Sequence, residues 1–566
     1  MEVSEIPQFV RNAGRFREVV AILTKHGLAD WLSTSSPNWV QRFRGKDERP
    51  DRWELTTEQR LRVAFTELGT TFIKLGQVLS TRPDLVGSVL AEELSELRAN
   101  TPADKPELVR AMIESELGRP VEELFATFES TAMASASIGQ VHRATTHSGR
   151  HVVVKVQHAG IEKHIINDLE IMCKLAELAE NHSANLRRYR PVKTTREFRK
   201  TLMRELDFNR EQRNMVRFRR NFDDDPGIVF PEPHLELCSR RVLTMDLFEG
   251  ISISDKKQLE SSGYDLEVVA RRGANLFLEM IFRDGFYHAD PHPGNLLVMS
   301  SEFCGSDKKS ATSAEGPVIG VLDCGMVGQI DDVLREDLEL ALYAAINQDA
   351  DHMSEIVARL GEVPADFDEA GLRNDIQEFL AEYTNQTLDK FDLSGCLNGI
   401  IDIIRSHQIY LPAKVAMLLK VLIMLEGTAQ QLNARFSLAE MIEPYGEIAI
   451  RRRYSPRRLF AQMKSRFQDW DRLAAILPKD LADILHNIKR GKFDVHLEHR
   501  NLEPVVNRLV LGILTAALFI GSASLCSYEV PPVYRGFSVP GCLGSAVSLA
   551  MGWSITRAIH RSGRFK

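Results

Sequence analysis

Near its C-terminus the sequence twice runs long without a charge. Leu509–Ser527 and residues 536–556 are uncharged stretches of 19 and 21 residues. At about 1.5 Å of rise per residue, a helix of either length crosses the ~30 Å hydrocarbon core of a bilayer. A pair of buried helices in a soluble core is the competing reading, and the Ala, Gly and Ser in both runs suit either setting. Terminal position, paired lengths and the short connector 528-YEVPPVYR-535 favour a two-helix transmembrane hairpin.

Charge then sets the orientation. Arg508 precedes the first run, and Arg557, His560, Arg561, Arg564 and Lys566 follow the second, whereas the connector holds one Glu and one Arg. The positive-inside rule places both ends, and with them residues 1–508, on the cytoplasmic side. Upstream, 451-RRRYSPRRLFAQMKSR-466 carries seven Lys/Arg and no acid, which suits anionic headgroups as well as a solvated helix face. The whole chain, at 71 Lys+Arg against 78 Asp+Glu, has a net charge of -7, so no nucleic-acid partner is expected. Its seven cysteines are scattered and lack CxxC spacing, which argues against a zinc site or disulfide framework and for a reducing compartment. The N-terminal MEVSEIPQF has no basic region followed by an apolar one, so no signal peptide is expected.

At 566 residues the chain is too long for one ordinary core, and it shows no internal repeat. Apolar periodicity predicts helices over 8–32, through 71-TFIKLGQVLSTRPDLV-86 after the polar break 44–55, and at 107–117 and 121–128. The β-branched segment 138–157, with a turn at His147–Arg150, reads as two strands. Helical patterns return at 161–184 and 194–218, followed by a strand over 241–248. From there to about 446 the chain is mostly helical, except for strand-like 286–298 and 317–327. The Ser/Gly/charged insert 299–316 between them reads as a mobile surface loop.

The chemistry is concentrated in 288-HADPHPGN-295. An Asn five residues after the Asp of His-x-Asp is the spacing of a protein-kinase catalytic loop, and 323-DCG-325 stands where D-F-G would. Asp290 is then the group that orients or deprotonates a nucleophile, while Asn295 and Asp323 hold Mg²⁺ against ATP phosphates. Upstream, Lys155 in 152-VVVKVQ-157 is a strand lysine suited to α/β-phosphates, and 205-ELDFNRE-211 offers acids to pair with it. A kinase's Gly-rich loop is replaced by 134-ASASIGQVH-142, in which only Gly139 is a glycine. Lys74 and Gln77 share a helix face, with Gly76 on the opposite side.

Together KLGQ, ASASIGQVH, VVVKVQ, ELDFNRE, HADPHPGN and DCG resemble the UbiB family of atypical kinases, also called AarF or ADCK, over about residues 60–330. The terminal hairpin resembles that of bacterial members. The resemblance implies an α+β, protein-kinase-like bilobal fold with an N-terminal helical extension and a C-terminal two-helix transmembrane hairpin. Its divisions are a KxGQ extension at 1–115, an N-lobe at 116–250, a C-lobe at 251–446, a basic juxtamembrane region at 447–508 and the hairpin at 509–556.

It further implies a membrane-anchored, Mg²⁺- and ATP- (or ADP-) binding kinase or ATPase that supports ubiquinone biosynthesis. The catalytic domain would face the cytoplasm from the inner membrane. Implied partners are the membrane, prenyl-quinone precursors or other membrane lipids, and quinone-biosynthesis proteins. Carried over by residue, Ala134, Ser135, Ala136, Ser137, Ile138, Gly139, Gln140 and Val141 line the nucleotide, and Lys155 pairs with Glu211. Met245 is the gatekeeper, with Asp246 and Phe248 in the adenine hinge. Asp290 and Lys155 are catalytic, and Asn295 and Asp323 bind the metal. Glu205 and Asp207 meet Lys74 and Gln77 as a regulatory latch across the pocket, with Gly76 easing close packing.

Two departures bear on substrate. The insert 299–316 lengthens the connection between catalytic loop and metal-binding Asp, and no A-P-E follows Asp323, so the peptide platform of protein kinases is missing. His142, His292 and Cys324 read as fold-stabilising rather than chemical, and Trp31, Trp39, Trp53 and Trp470 as packing or interface residues. The competing function is a non-enzymatic, nucleotide-gated scaffold for quinone intermediates or biosynthetic partners. An aminoglycoside-type small-molecule kinase ranks third.

Overall fold

The computed structural model describes residues 6–28, 55–97, 101–299, 316–383, 392–445 and 502–561, apart from positions 183, 188, 348, 433–437, 439, 443, 529 and 535–536. The insert at 300–315, the basic segment 451–466 and the four tryptophans named above lie outside the described residues. Two compact units result, Met1–Arg458 and Leu459–Lys566.

The first unit begins with helices α1 (Ile6–Lys25), α2 (Thr57–Leu68), α3 (Thr70–Ser80) and α4 (Ser88–Ser95). A reciprocal capping box between Thr56 and Gln59 starts α2. Gly69, at φ +93°, separates α2 from α3 and breaks the long helix expected there. Gly76 faces α2 and α4: a Cβ on it would sit 2.2 Å from Leu97 Cδ1 and 3.0 Å from Phe65 Cδ2. The glycine therefore lets α3 pack closely on its buried side, while Lys74 reaches away from that contact to Glu205.

After α5 (Pro106–Leu117), strands β1 (Thr127–Phe128), β2 (Ala134–Ser135), β3 (Gly139–Thr145), β4 (His151–Gln157) and β6 (Val242–Asp246) form an antiparallel sheet in the order β1-β3-β4-β6, with β2 on β3. Phe128 is thus in a strand, and the preceding helix is a single turn, Val121–Leu124. The two-residue period of β4 decides its role. Val152, Val154 and Val156 face Val109 and Ile113 of α5, whereas Val153 and Lys155 face the other side. Gly139 is required by packing, since a Cβ there would come 2.5 Å from the Val156 carbonyl oxygen.

Helix α6 (Ile161–His182) is followed by α7 (Pro191–Glu205) and α8 (Phe208–Asn221). The single helix predicted over 194–218 is two helices, because Asp207 takes an extended conformation and caps α8 by accepting from Asn209 N. On one continuous helix Glu205 and Glu211 would lie about 120° apart around the axis. The break frees each acid to aim independently.

The lower half contains strands β5 (Ile228–Val229), β7 (Ile251–Ser252), β9 (Leu296–Met299) and β10 (Val318–Val321) in the order β5-β10-β9-β7. A separate pair joins β8 (Phe286–His288) to β11 (Val327–Gln329), setting His288 opposite Val327. Helices α9 (Leu266–Leu278) and α10 (Ala413–Gln431) pack behind them, α10 burying Val415, Leu418, Leu422 and Leu425 at helical spacing. The β5–β11 strands and α9–α10 therefore hold the loops at 288–295 and 323–325 from behind.

The second unit is a helical hairpin of α11 (Leu502–Ser527) and α12 (Val539–Arg561), joined through β12 (Val533–Tyr534) and β13 (Phe537–Ser538). Residues 537–538 of the second uncharged run belong to this strand pair, so its apolar helix is Val539–Arg557. Small residues line the helix contact: Gly544 meets Ser522, and Gly552 meets Thr515. The outward surface is apolar and uncovered, with Leu509, Ile513, Ile520, Leu543 and Leu549 each more than 60% exposed. Tyr528 and Tyr534 at one end, and Trp553 beside Arg557 at the other, are residue types that belong at headgroup depth.

A buried charge cluster fastens the extension to the rest of the first unit. Arg82 donates to Asp84 at 2.8 and 2.9 Å, to the Leu411 carbonyl at 2.8 Å and to Glu197 of α7 at 3.2 Å. The Tyr410 hydroxyl donates to the same Glu197 at 3.0 Å. Only 1% of the Asp84 side chain reaches solvent, so Arg82→Ala would leave its carboxylate buried and unpaired. That variant is expected to lose ~3–5 kcal/mol of stability, read as a lower thermal midpoint of the detergent-solubilised protein; an unchanged midpoint would contradict the cluster's anchoring role.

Candidate active site

Lys155 is the centre of a three-element cluster. Its Nζ donates to Glu211 at 3.1 and 2.9 Å and lies 3.7 Å from Asp323 Oδ2. Strand β4, helix α8 and the loop after β10 each supply one member. Of the acids in 205–211, Glu211 is the partner of Lys155. Burial works against the lysine's charge, but Asp323 and Glu211 outweigh it and hold the ammonium protonated well above its ordinary range. Burial likewise opposes the Asp323 carboxylate, yet Lys155 and the Gly325 N–H (2.7 Å from Oδ1) draw its pKa down to about 2. Nearly half of the Asp323 side chain opens to solvent, so screening tempers that pull.

Helix α8 fixes the loop as well as the lysine, because Asn214 donates to the Cys324 carbonyl at 2.9 Å. Cys324 is fully buried, and burial pushes its thiol well up, which suits a space-filling residue rather than a nucleophile.

One histidine ties the 288–295 loop to the 323–325 loop. The Asp290 N–H donates to His288 Nδ1 at 3.2 Å, so Nδ1 accepts; Nε2 then donates to the Asp323 carbonyl. The Asn295 amide donates to the Asp290 carbonyl and carboxylate, both at 3.4 Å, and the Leu322 N–H donates to the Asn295 carbonyl at 2.9 Å. Asp290, Asn295 and Asp323 are thereby brought together although 33 residues separate the first from the last. With its NH₂ turned to Asp290, Asn295 presents a carbonyl oxygen; this and the Asp323 carboxylate are hard oxygen donors of the kind Mg²⁺ takes beside phosphates. His292 accepts from Gly294 N at 3.0 Å, a turn-holding role.

The Ala-rich segment is a tight β-hairpin, Ala134 opposite Val141 and Ser135 opposite Gln140, closed by Ala136 N–H to the Gly139 carbonyl at 2.9 Å. Residues unmarked in the sequence hold it down. His158 Nε2 donates to the Ala136 carbonyl at 3.1 Å and lies 3.5 Å from the Ser135 hydroxyl, while its Nδ1 is 3.3 Å from Asp104. Asp104 also accepts from Ala159 N at 2.8 Å, and its own N–H donates to the buried Gln140 amide oxygen at 2.6 Å. Gln140 is further committed to His142 at 2.7 Å, and His142 also bonds the Glu129 carbonyl and stacks on Phe128. The side chain of Gln140 thus serves the fold. Ser137 and Ile138 are buried in the turn, and Val141 stands opposite Lys155.

At the other edge Met245 is buried opposite Val153. Asp246 accepts from His234 at 3.0 Å, and Phe248 packs over Gly320 of β10. The hinge segment thereby bridges the upper sheet and the lower one.

The latch residues divide. Lys74 Nζ lies 2.8 Å from Glu205 Oε2, within the salt-bridge reach predicted for it. Burial opposes its charge, but Glu205, Asp323 and Asp290 together raise its pKa, which puts its ammonium within the field of the Asp290 and Asp323 carboxylates. Gln77 does not meet Glu205 or Asp207; its amide donates to the Leu97 carbonyl at 3.0 Å, inside the extension. Asp207 caps α8 and lies near Arg210 and Arg213. One ion pair, not a four-residue network, joins α3 to α7.

Comparison with known proteins agrees with this layout. Residues 96–357 match the ABC1 atypical kinase-like domain, 376–437 the UbiB helical domain, and 496–561 the ABC1/UbiB kinase-like C-terminal domain. A probable protein kinase UbiB of Aeromonas salmonicida is 31% identical over 519 residues, covering 90% of this chain and 92% of that one. The chain belongs to the UbiB family. A Pseudomonas putida UbiB is 32% identical, over 84% of this chain and 87% of that one. A Clostridium pasteurianum protein encoded in the 5′ region of hydrogenase 1 is 28% identical, over 97% and 99%. The UbiB fold here is kinase-like, with β1–β4 and β6 above the cleft and the 288–295 and 323–325 loops below it.

The depressed pKa of Asp323 fixes a pH dependence. Its folded value, about 2, lies below an unfolded value of about 4. The pair's stabilisation is therefore fully present above pH ~4 and is lost as pH falls toward ~2. Lys155→Met removes the counter-charge and leaves Glu211, which burial already biases toward its neutral form, to protonate more readily. Both changes flatten the acid limb. Thermal midpoints between pH ~5 and ~3 should fall less steeply for Lys155→Met than for wild type, and parallel slopes would contradict the cluster.

Proposed function

We propose that this UbiB protein is a membrane-anchored, Mg²⁺-dependent ATPase or small-molecule kinase that supports prenyl-quinone biosynthesis. The observation that carries the reading is the joining of Lys155, Glu211 and Asp323 in one ion cluster, with Asp290 and Asn295 beside it. In this reading Lys155 holds the α/β-phosphates, and Asn295 and Asp323 hold Mg²⁺. Asp290 orients the attacking hydroxyl or water and takes its proton. The Ala134–Val141 hairpin covers the phosphates, and Met245 to Phe248 border the adenine. Mg²⁺ supplies charge neutralisation between phosphate oxygens.

The missing A-P-E after Asp323, with Lys74 brought from the extension toward Glu205 and the field of Asp290, favours a small phenolic or lipid acceptor, or water, over a peptide. The uncovered apolar faces of α11 and α12, with basic residues beyond Thr556, support anchoring in the inner membrane with the site on the cytoplasmic side. Such an anchor would hold the cleft near prenylated precursors, which partition into the bilayer, and near the proteins that modify them.

Phosphate release from the detergent-solubilised full-length protein with Mg-ATP and quinone-like phenols tests this. Wild type should turn over, and Asp323→Asn should fall at least about a hundredfold, as expected when a group acting on phosphoryl charge is removed. Equal background rates for both would contradict an enzyme. Restoration of quinone in a deficient strain by Asp290→Asn with intact nucleotide binding would favour the scaffold reading.

A further inference from the structure

A phosphate loop works by offering backbone N–H groups, and glycines usually give it the conformational freedom to do so. The Ala134–Val141 hairpin has a single glycine, Gly139, and packing against the Val156 carbonyl already requires that one. The register nonetheless joins the hairpin to the strand of Lys155: Val141 stands opposite Lys155, and Gly139 opposite Gln157, the residue before His158. The groups that shape its tip lie outside it.

Two carbonyls of the tip go to one residue. The His158 N–H donates to the Ile138 carbonyl at 2.9 Å, and its Nε2 donates to the Ala136 carbonyl at 3.1 Å. The Ala136 N–H closes the turn on the Gly139 carbonyl at 2.9 Å. That leaves the N–H groups of Ser137 and Ile138, and neither has an acceptor among the described residues. Both residues are buried, at 6% and 7% exposure, and buried N–H groups are rarely left without a partner. Successive free N–H groups in a turn are a backbone means of holding an anion. Asp104 in turn sets His158, which is itself only 5% exposed. Its carboxylate lies 3.3 Å from His158 Nδ1 and accepts from Ala159 N at 2.8 Å, while its N–H donates to the Gln140 side chain at 2.6 Å. One acid thus grips the imidazole under the tip and the glutamine on the returning strand.

We propose that His158, oriented by Asp104, is the positioning residue that does for this hairpin what glycines do for a Gly-rich loop. By holding the Ala136 and Ile138 carbonyls it leaves the Ser137 and Ile138 N–H groups to a phosphate of the bound nucleotide. The inference rests on the nucleotide reading above and deepens it. The pinned backbone, not the side chains of the tip, then binds the phosphate, so Ala and Ser can stand there without the freedom of glycine.

Calorimetric titration of the full-length protein in detergent with Mg-ADP and with adenosine separates phosphate contacts from base contacts. His158→Ala should weaken Mg-ADP at least about tenfold, the worth of a hydrogen bond to a charged group, and leave adenosine within about twofold. His158→Gln, whose amide can donate to Ala136, should recover part of the loss. Asp104→Asn, which keeps the backbone bond to Gln140, should weaken Mg-ADP by less than His158→Ala and spare adenosine. Equal losses for Mg-ADP and adenosine, or no loss of Mg-ADP, would overturn the proposal and leave His158 a fold-stabilising residue. If thermal unfolding shows that His158→Ala does not fold, the same comparison in His158→Gln and Asp104→Asn decides. Failure of wild type to bind either compound would overturn the nucleotide reading and the proposal with it.

Discussion

A lysine ammonium is costly to remove from water unless a carboxylate goes with it, and Lys155 takes two. Cutting such a buried pair costs on the order of 3–5 kcal/mol, enough to dictate where strand β4, helix α8 and the 323–325 loop must sit. Much of the cleft is arranged to make that meeting possible. The helix break at Leu206–Asp207 points Glu211 inward. Asn214 pins the loop from the same helix, and His288 binds the loop to Asp290 from below. The site is organised by electrostatics, with van der Waals packing of the Val-rich β4 keeping the strand in register.

A second set of charges ties the helical extension into this arrangement. Lys74 reaches Glu205 from the middle of α3; past the C-terminal end of that helix Arg82 reaches Asp84, Glu197 and the Leu411 carbonyl. The extension is therefore coupled to both halves of the cleft, and Gly76 provides the close approach on its far side. This coupling explains why a helix motif foreign to ordinary protein kinases accompanies an otherwise kinase-like set of residues. Lys74 comes from the extension to pair with Glu205 and sits within the field of Asp290 and Asp323, so an element outside the two lobes shapes the charge of the site.

How much could be read in advance follows from the range of each signal. Lys155, Asp290, Asn295 and Asp323 were legible because their chemistry demands fixed residue types at short, ordered spacings. Lys74–Glu205 was legible through the family resemblance, and the membrane-length helices through uncharged length. Asp104–His158 and Arg82–Glu197–Tyr410 were not, since partners tens to hundreds of residues apart leave no periodic trace. Gln140 and Gln77 sat in recognisable motifs but spend their amides on Asp104, His142 and Leu97. The split of 194–218 was missed because Asp207 looks like part of an acidic helix face until its capping bond is seen. Likewise Gly139, read as a phosphate-loop glycine, answers first to the Val156 carbonyl beside it.

The proposed function depends most directly on Asn295 and Asp323 holding a divalent cation against a nucleotide's phosphates. Electron paramagnetic resonance of the full-length protein with Mn²⁺ in place of Mg²⁺ addresses it directly. The account predicts that adding ADP immobilises one Mn²⁺ per chain in wild type and none in Asp323→Asn. Mn²⁺ binding that is indifferent to ADP, or equal in the two proteins, would contradict it.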